Sequence, residues 1–149
     1  RGRRSGRKSL EFVLDSNEYI FALGIARLPA SSTLLAKLAA ARVAHAIRLC
    51  RTIVEEVRPH LTPQEFRECI GFVHSLTSID EDAFVPFELG AKYEWKGLKP
   101  ADAFIAAYTE WAGAEALVTE NRHFLSRRDD LPFNVLTAEQ GLKLISRLP

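Results

Sequence analysis

The feature that most constrains this 149-residue chain is its alternation of short apolar runs with longer helix-type patterns. Residues 11–15 hold Phe12, Val13 and Leu14 and end on Asp15. Ile47 to Cys50, Ala116 to Thr119 and Asn134 to Leu136 are three further runs of strand length. Continuous apolar runs this short suit strands buried on both faces of a parallel sheet. Between them the pattern predicts helices over 16–24, 33–44, 52–61, 62–76, 88–96 and 100–113. A short helix is expected over 121–126, and another closes the chain. Thr62-Pro63-Gln64-Glu65 and Thr137-Ala138-Glu139-Gln140 are helix starts, with a reciprocal Thr and Glu or Gln cap. Residues 27–32 read as a loop around Pro29, and 80–82 as an acidic loop. Strands alternating with helices predict an α/β fold, a three-layer α/β/α sandwich with a mainly parallel central sheet.

Charge divides the chain in two. Residues 1–8 carry five of the 20 basic side chains and no acid, leaving 15 against 19 acids and a net charge of −4 for the rest. Residues 1–9 are therefore expected to be a basic tail, and 10–149 a single domain. No apolar run has the length of a membrane span, and the chain opens on charge, so a cytoplasmic location is expected. Cys50 and Cys69 have no zinc spacing and read as buried thiols. His45, His60, His74 and His123 are scattered. Walker, dinucleotide and nucleophile-elbow glycine motifs are missing.

What remains is carboxylates at the carboxyl ends of strands, where parallel sheets gather functional groups. Asp15 follows an apolar run, as an N-cap or as a ligand. Thr52 and Glu55 have the spacing of a capping box, which leaves Glu56, on the inward stripe, as the acid without a structural task. Asp102 falls in the first turn of the helix opened by Pro100 and shares a face with Ile105 and Ala106. Glu120 and Asn121 follow another strand. Converging acids repel unless a cation joins them, and oxygen ligands suit Mg²⁺ or Mn²⁺. Such ions activate water and stabilise the leaving oxygen in phosphodiester cleavage.

Four blocks, V-L-D-S-N at 13–17, I-V-E-E-V at 53–57, G-L-K-P-A-D-A-F-I-A-A at 97–107 and L-V-T-E-N-R-H-F-L at 117–125, resemble the PIN-domain family in order and spacing. The resemblance spans nearly all of 10–145. It implies a metal-dependent endoribonuclease that hydrolyses single-stranded RNA, VapC-type toxins being the largest such group. It places Asp15, Asp102 and Glu56 in the catalytic metal site and assigns Asn17 and Thr119 to shaping it. The fourth position, usually acidic, is Asn121 here, with Glu120 beside it as a substitute ligand. The expected partners are single-stranded or structured RNA, a small antitoxin protein and a second copy of the chain. In the dimer, the helices at 33–44 and 62–76 are candidates for the interface. The alternative is a PIN-like RNA- or protein-binding module without efficient cleavage, which Asn121 favours. A phosphatase-like hydrolase ranks last, because Asp15-Ser16-Asn17 lacks a second Asp.

Overall fold

Five parallel strands, Leu10–Leu14 (β1), His45–Cys50 (β2), Ile79–Asp80 (β3), Ala116–Val118 (β4) and Asn134–Leu136 (β5), form one sheet in the order β3-β2-β1-β4-β5. The computed structural model describes residues 10–24, 28–41 and 45–147; the basic tail lies outside them. The helices are Ser16–Leu23 (α1), Pro29–Ala40 (α2), Arg51–Val57 (α3), Pro63–His74 (α4), Phe87–Trp95 (α5), Pro100–Ala112 (α6), Arg122–Leu125 (α7) and Ala138–Ser146 (α8). This is the expected α/β sandwich, with a sheet that is wholly parallel.

The sheet runs outward from β1 in both directions. After β3 the chain crosses back and lays β4 on the free side of β1. The carboxyl ends of β1 and β4 are thus a topological switch point, where loops diverge and leave a crevice. Phe12, Val13 and Leu14 meet Ala116, Leu117 and Val118 in register, and all six are buried. This apolar contact sets the residues just beyond the strands, Asp15 and Thr119, side by side.

Several local expectations change. Helix α2 begins at Pro29, not Thr33, because Pro takes the first helical position with Leu28 as N-cap. Residues 42–44, expected in that helix, lie outside the described residues. Thr52 does not cap α3 with Glu55. Its backbone N–H and hydroxyl donate to Asp82 at 3.1 and 2.6 Å, Cys50 is the N-cap, and Glu55 pairs with Arg58. The predicted helix over 52–61 ends at Val57 and continues as a 3-10 turn over Arg58–His60. The two other capping boxes form as predicted. At Gly113 the backbone closes α6 in the left-handed region, φ 68°, which glycine adopts freely.

The acidic run 80–82 is not simply a loop. Asp80 ends β3 and accepts from Arg48 at 2.9 Å and from the Tyr108 hydroxyl, while Glu81 pairs with Arg51. All three acids of the run are engaged elsewhere. The apolar stripes of α2 and α4 are core, with Leu34, Leu35, Leu38, Cys69 and Val73 buried. The most exposed large apolar side chains among the described residues are instead Phe84, Phe87 (86% exposed) and Trp95 (91%), on and just before α5.

Candidate active site

Asp15 sits one residue past β1 and is 5% exposed. Its Oδ2 accepts from the Thr119 hydroxyl at 2.7 Å and its Oδ1 from the Ser16 backbone N–H at 2.8 Å. Its own N–H donates to the Val118 carbonyl at 2.9 Å, which continues the ladder one step beyond the strand. Burial pushes the Asp15 carboxyl above its usual range. The bonds from Thr119 and Ser16 work against that shift, and the Asp102 carboxylate adds to it.

Glu56 reaches this point from α3. It is half-buried and hydrogen-bonded to the Ser16 side chain. Burial raises its pKa first, and Asp15 and Asp102 raise it further. Glu55, expected to serve a cap, is exposed and paired with Arg58 instead, while Glu56 is half-buried. Asp102 stands in the first turn of α6. Three acids, from the end of β1, from α3 and from α6, therefore come together at this strand edge, where the Asp102 charge acts on both Asp15 and Glu56.

Asn121 is drawn in by three contacts. Its amide Nδ2 donates to Asp102 Oδ1 at 3.4 Å, its Oδ1 accepts from the His123 N–H at 2.9 Å as the cap of α7, and its N–H donates to Thr119 Oγ1 at 2.9 Å. Where an acid would repel Asp102, the amide donates to it. Asn17 lies half-buried in the first turn of α1.

Glu120 is turned elsewhere. Its Oε2 accepts from the Ala138 N–H at the start of α8, 3.0 Å away. It also meets Glu18, which sequence reasoning missed. Glu18 is 2% exposed; its Oε1 accepts from the Ser31 hydroxyl at 2.7 Å, and among the described residues its Oε2 has no donor to accept from. Burial, then the neighbouring Glu120, raise the Glu18 carboxyl to about 9. In its protonated form Glu18 becomes a donor, with Glu120 as the acceptor beside it. Its spacing after Asp15 resembles an ordinary helix-start pair, so only the packing of α2 exposes its role. Ser16, linking Asp15 to Glu56, was also missed; no pattern marks it beyond its place after Asp15.

Among the described residues, no three His, Cys, Asp or Glu side chains are close enough together to hold a metal ion by themselves. The donors in the crevice are all carboxylate, hydroxyl and amide oxygens. That chemistry suits Mg²⁺, which is usually held through one or two carboxylates with waters and substrate oxygens completing its shell.

No family model and no curated protein sequence matches the chain. Solved structures do. VapBC2 from Rickettsia felis, crystallised with a DNA fragment from its promoter, superposes with a TM-score of 0.61 at 19% identity. FitAcB from Neisseria gonorrhoeae gives 0.59 at 15% identity. Each match covers 86% of this chain and 98% of the other. The chain has the PIN-like fold. In this PIN-like frame Asp15, Glu56, Asp102, Thr119 and Asn121 share the switch-point crevice, and Glu120 stands behind it against α8. Among the described residues no helix is long and apolar enough to cross a membrane.

Proposed function

We propose that the chain is a metal-dependent endoribonuclease that hydrolyses phosphodiester bonds in single-stranded RNA. The observation that carries this reading is the convergence of Asp15, Glu56 and Asp102, each from a different element, with burial and like charge lifting the first two above their usual range. A protein tolerates such repulsion where a cation relieves it. Asp15 and Asp102 would hold Mg²⁺ or Mn²⁺. When bound, the ion would polarise a phosphoryl oxygen and make its water acidic enough to attack.

The remaining roles belong to the chain itself. Thr119 and the Ser16 N–H fix the Asp15 carboxylate, and the first turn of α6 carries Asp102. Glu56, held by Ser16 and titrating above an ordinary glutamate, is placed to take up a proton. Asn121 orients Asp102 through its amide.

VapC-type toxins are the group to which the sequence resemblance points, and one similar structure is a VapBC complex. On that basis the chain is a toxin whose partner is a small antitoxin protein, which should co-purify with it when the neighbouring gene is co-expressed.

The test is cleavage of a labelled single-stranded RNA with Mn²⁺ or Mg²⁺, beside EDTA and Asp102→Asn controls. Metal-dependent cleavage, lost in both controls, is the expected result. No cleavage of several RNAs by folded protein would overturn the reading. It would leave a PIN-like binding module, which the Asn121–Asp102 hydrogen bond favours because it occupies the position of a further acid. In such a module Asp15→Asn would leave RNA affinity unchanged or higher, since a negative charge near phosphate is removed.

A further inference from the structure

An acidic crevice cannot by itself hold a polyanion, so the cations must lie elsewhere on the surface. Beside the outer edge of the sheet, β5 and α8 enclose an open groove of about 450 Å³. Arg128, Lys143 and Arg147 line it, together with Gln140 and the apolar edges of Val135 and Leu144, and no acid does. Asp130 is close in sequence but turns away to Lys96 and Arg127. Lys143 and Arg147 lie one turn apart on one face, about 6 Å along the helix axis. Arg128 is held in place by a 2.6 Å bond to Gln140 Oε1.

The groove lies next to the strand end that carries Thr119, since Leu136 lines it. The Leu136 carbonyl accepts from the Thr119 N–H at 2.8 Å, and the Ala138 N–H donates to Glu120 at 3.0 Å. From there α8 runs back along β5, so the cations succeed one another away from the crevice.

We infer that this groove is a track for the phosphate backbone of single-stranded RNA, carrying the strand away from the acidic crevice; the inference rests on the ribonuclease reading above. The competing occupant is an acidic extended peptide added to the free edge of β5. Asn134 and Leu136 turn their backbone groups toward β4, so by alternation only Val135 presents an outward N–H and C=O. One residue is a short ladder for an added strand, whereas three cations leading from the crevice suit a chain of phosphates.

The experiment measures binding of a labelled single-stranded RNA in EDTA as salt is raised, for wild type, Lys143→Ala/Arg147→Ala and Asp102→Asn. Circular dichroism checks the fold, and Lys143→Arg/Arg147→Lys tests charge without loss of side-chain bulk. Each phosphate contact on a single strand adds about 0.7 to the slope of log affinity against log salt. The double alanine variant should therefore lose about 1.4 of slope and bind about tenfold more weakly. The charge-keeping variant and Asp102→Asn should retain the wild-type slope. Wild-type affinity and slope in the double alanine variant would overturn the track, as would no RNA binding by wild type at low salt. A poly-glutamate peptide that binds through Lys143 and Arg147, while RNA binding ignores them, would overturn it in favour of a protein segment. Cleavage is read separately. Groove-dependent binding without cleavage sinks the nuclease reading and leaves the track standing; cleavage with a groove-independent KM does the reverse.

Discussion

The Thr119 hydroxyl donates to the Asp15 carboxylate at 2.7 Å, joining residues 104 positions apart at the ends of adjacent strands. The same oxygen accepts from the Asn121 N–H, so one side chain fixes both an acid and the loop that faces it. Thr119→Val keeps the shape and removes both bonds. It should cost about 1–3 kcal/mol, the price of leaving buried polar groups unsatisfied. The measurement is the urea midpoint at unchanged m, alongside Mn²⁺ affinity by calorimetry. Thr119→Ser should restore most of both; a fully stable Val variant would show that the bond does little.

Asp102→Asn should separate function from stability. Asp102 raises the pKa of both Asp15 and Glu56 through like charge. Removing that charge should abolish the proposed cleavage, yet metal-free protein in EDTA should melt no lower than wild type. A clear fall in Tm would make Asp102 a structural residue.

Asn121→Asp should act in the opposite direction. Asp caps a helix as well as Asn does, so α7 is kept, but the 3.4 Å contact with Asp102 becomes repulsive. The metal-free variant should be less stable, and Mn²⁺ affinity or cleavage should rise by about 10–100-fold, the usual scale of outer-shell effects. Unchanged affinity would mean that this position does not reach the metal.

Glu18 predicts a pH dependence. Burial, then the neighbouring Glu120, push its carboxyl up to about 9, above the 4.5 of a free glutamate, so the folded state holds a proton that the unfolded chain gives up. Stability from this group is fully present below about 4.5 and is lost as pH rises toward about 9. Asp15 and Glu56 are raised in the same sense. Glu18→Gln, neutral throughout, should therefore flatten the decline without removing it. Denaturant midpoints across that range test this; an unchanged slope would mean that Glu18 is already ionised in the fold.

What could be read from the sequence was local. Asp15 after an apolar run, Asp102 in a Pro-opened first turn and the caps at Thr62 and Thr137 each carry their signal within a few residues. The capping boxes formed as read, and the alternation of runs gave the sandwich. The misreadings share a different cause. Thr52 looked like a cap because its true partner, Asp82, is 30 positions away. β3 is two residues long, and its Asp80 is explained by Arg48 on the neighbouring strand. Pro29 suits a loop and a helix start equally, and it opens α2. Glu18 is buried by α2 and faces a residue on the far side of the sheet's switch point, so no local pattern distinguishes it from a surface glutamate.

The strand order also governs when the site can exist. A ribosome delivers β1, β2 and β3 first, and with them Asp15 and Glu56. Asp102, Thr119 and Asn121 belong to the last third of the chain, and β4 must lie beside β1 before Thr119 meets Asp15. A chain that stops before β4 lacks Thr119 and Asn121, and with them the bonds to Asp15 and Asp102. The bond that ties Asp15 to Thr119 is therefore among the last the growing chain can make, because it closes over 104 positions.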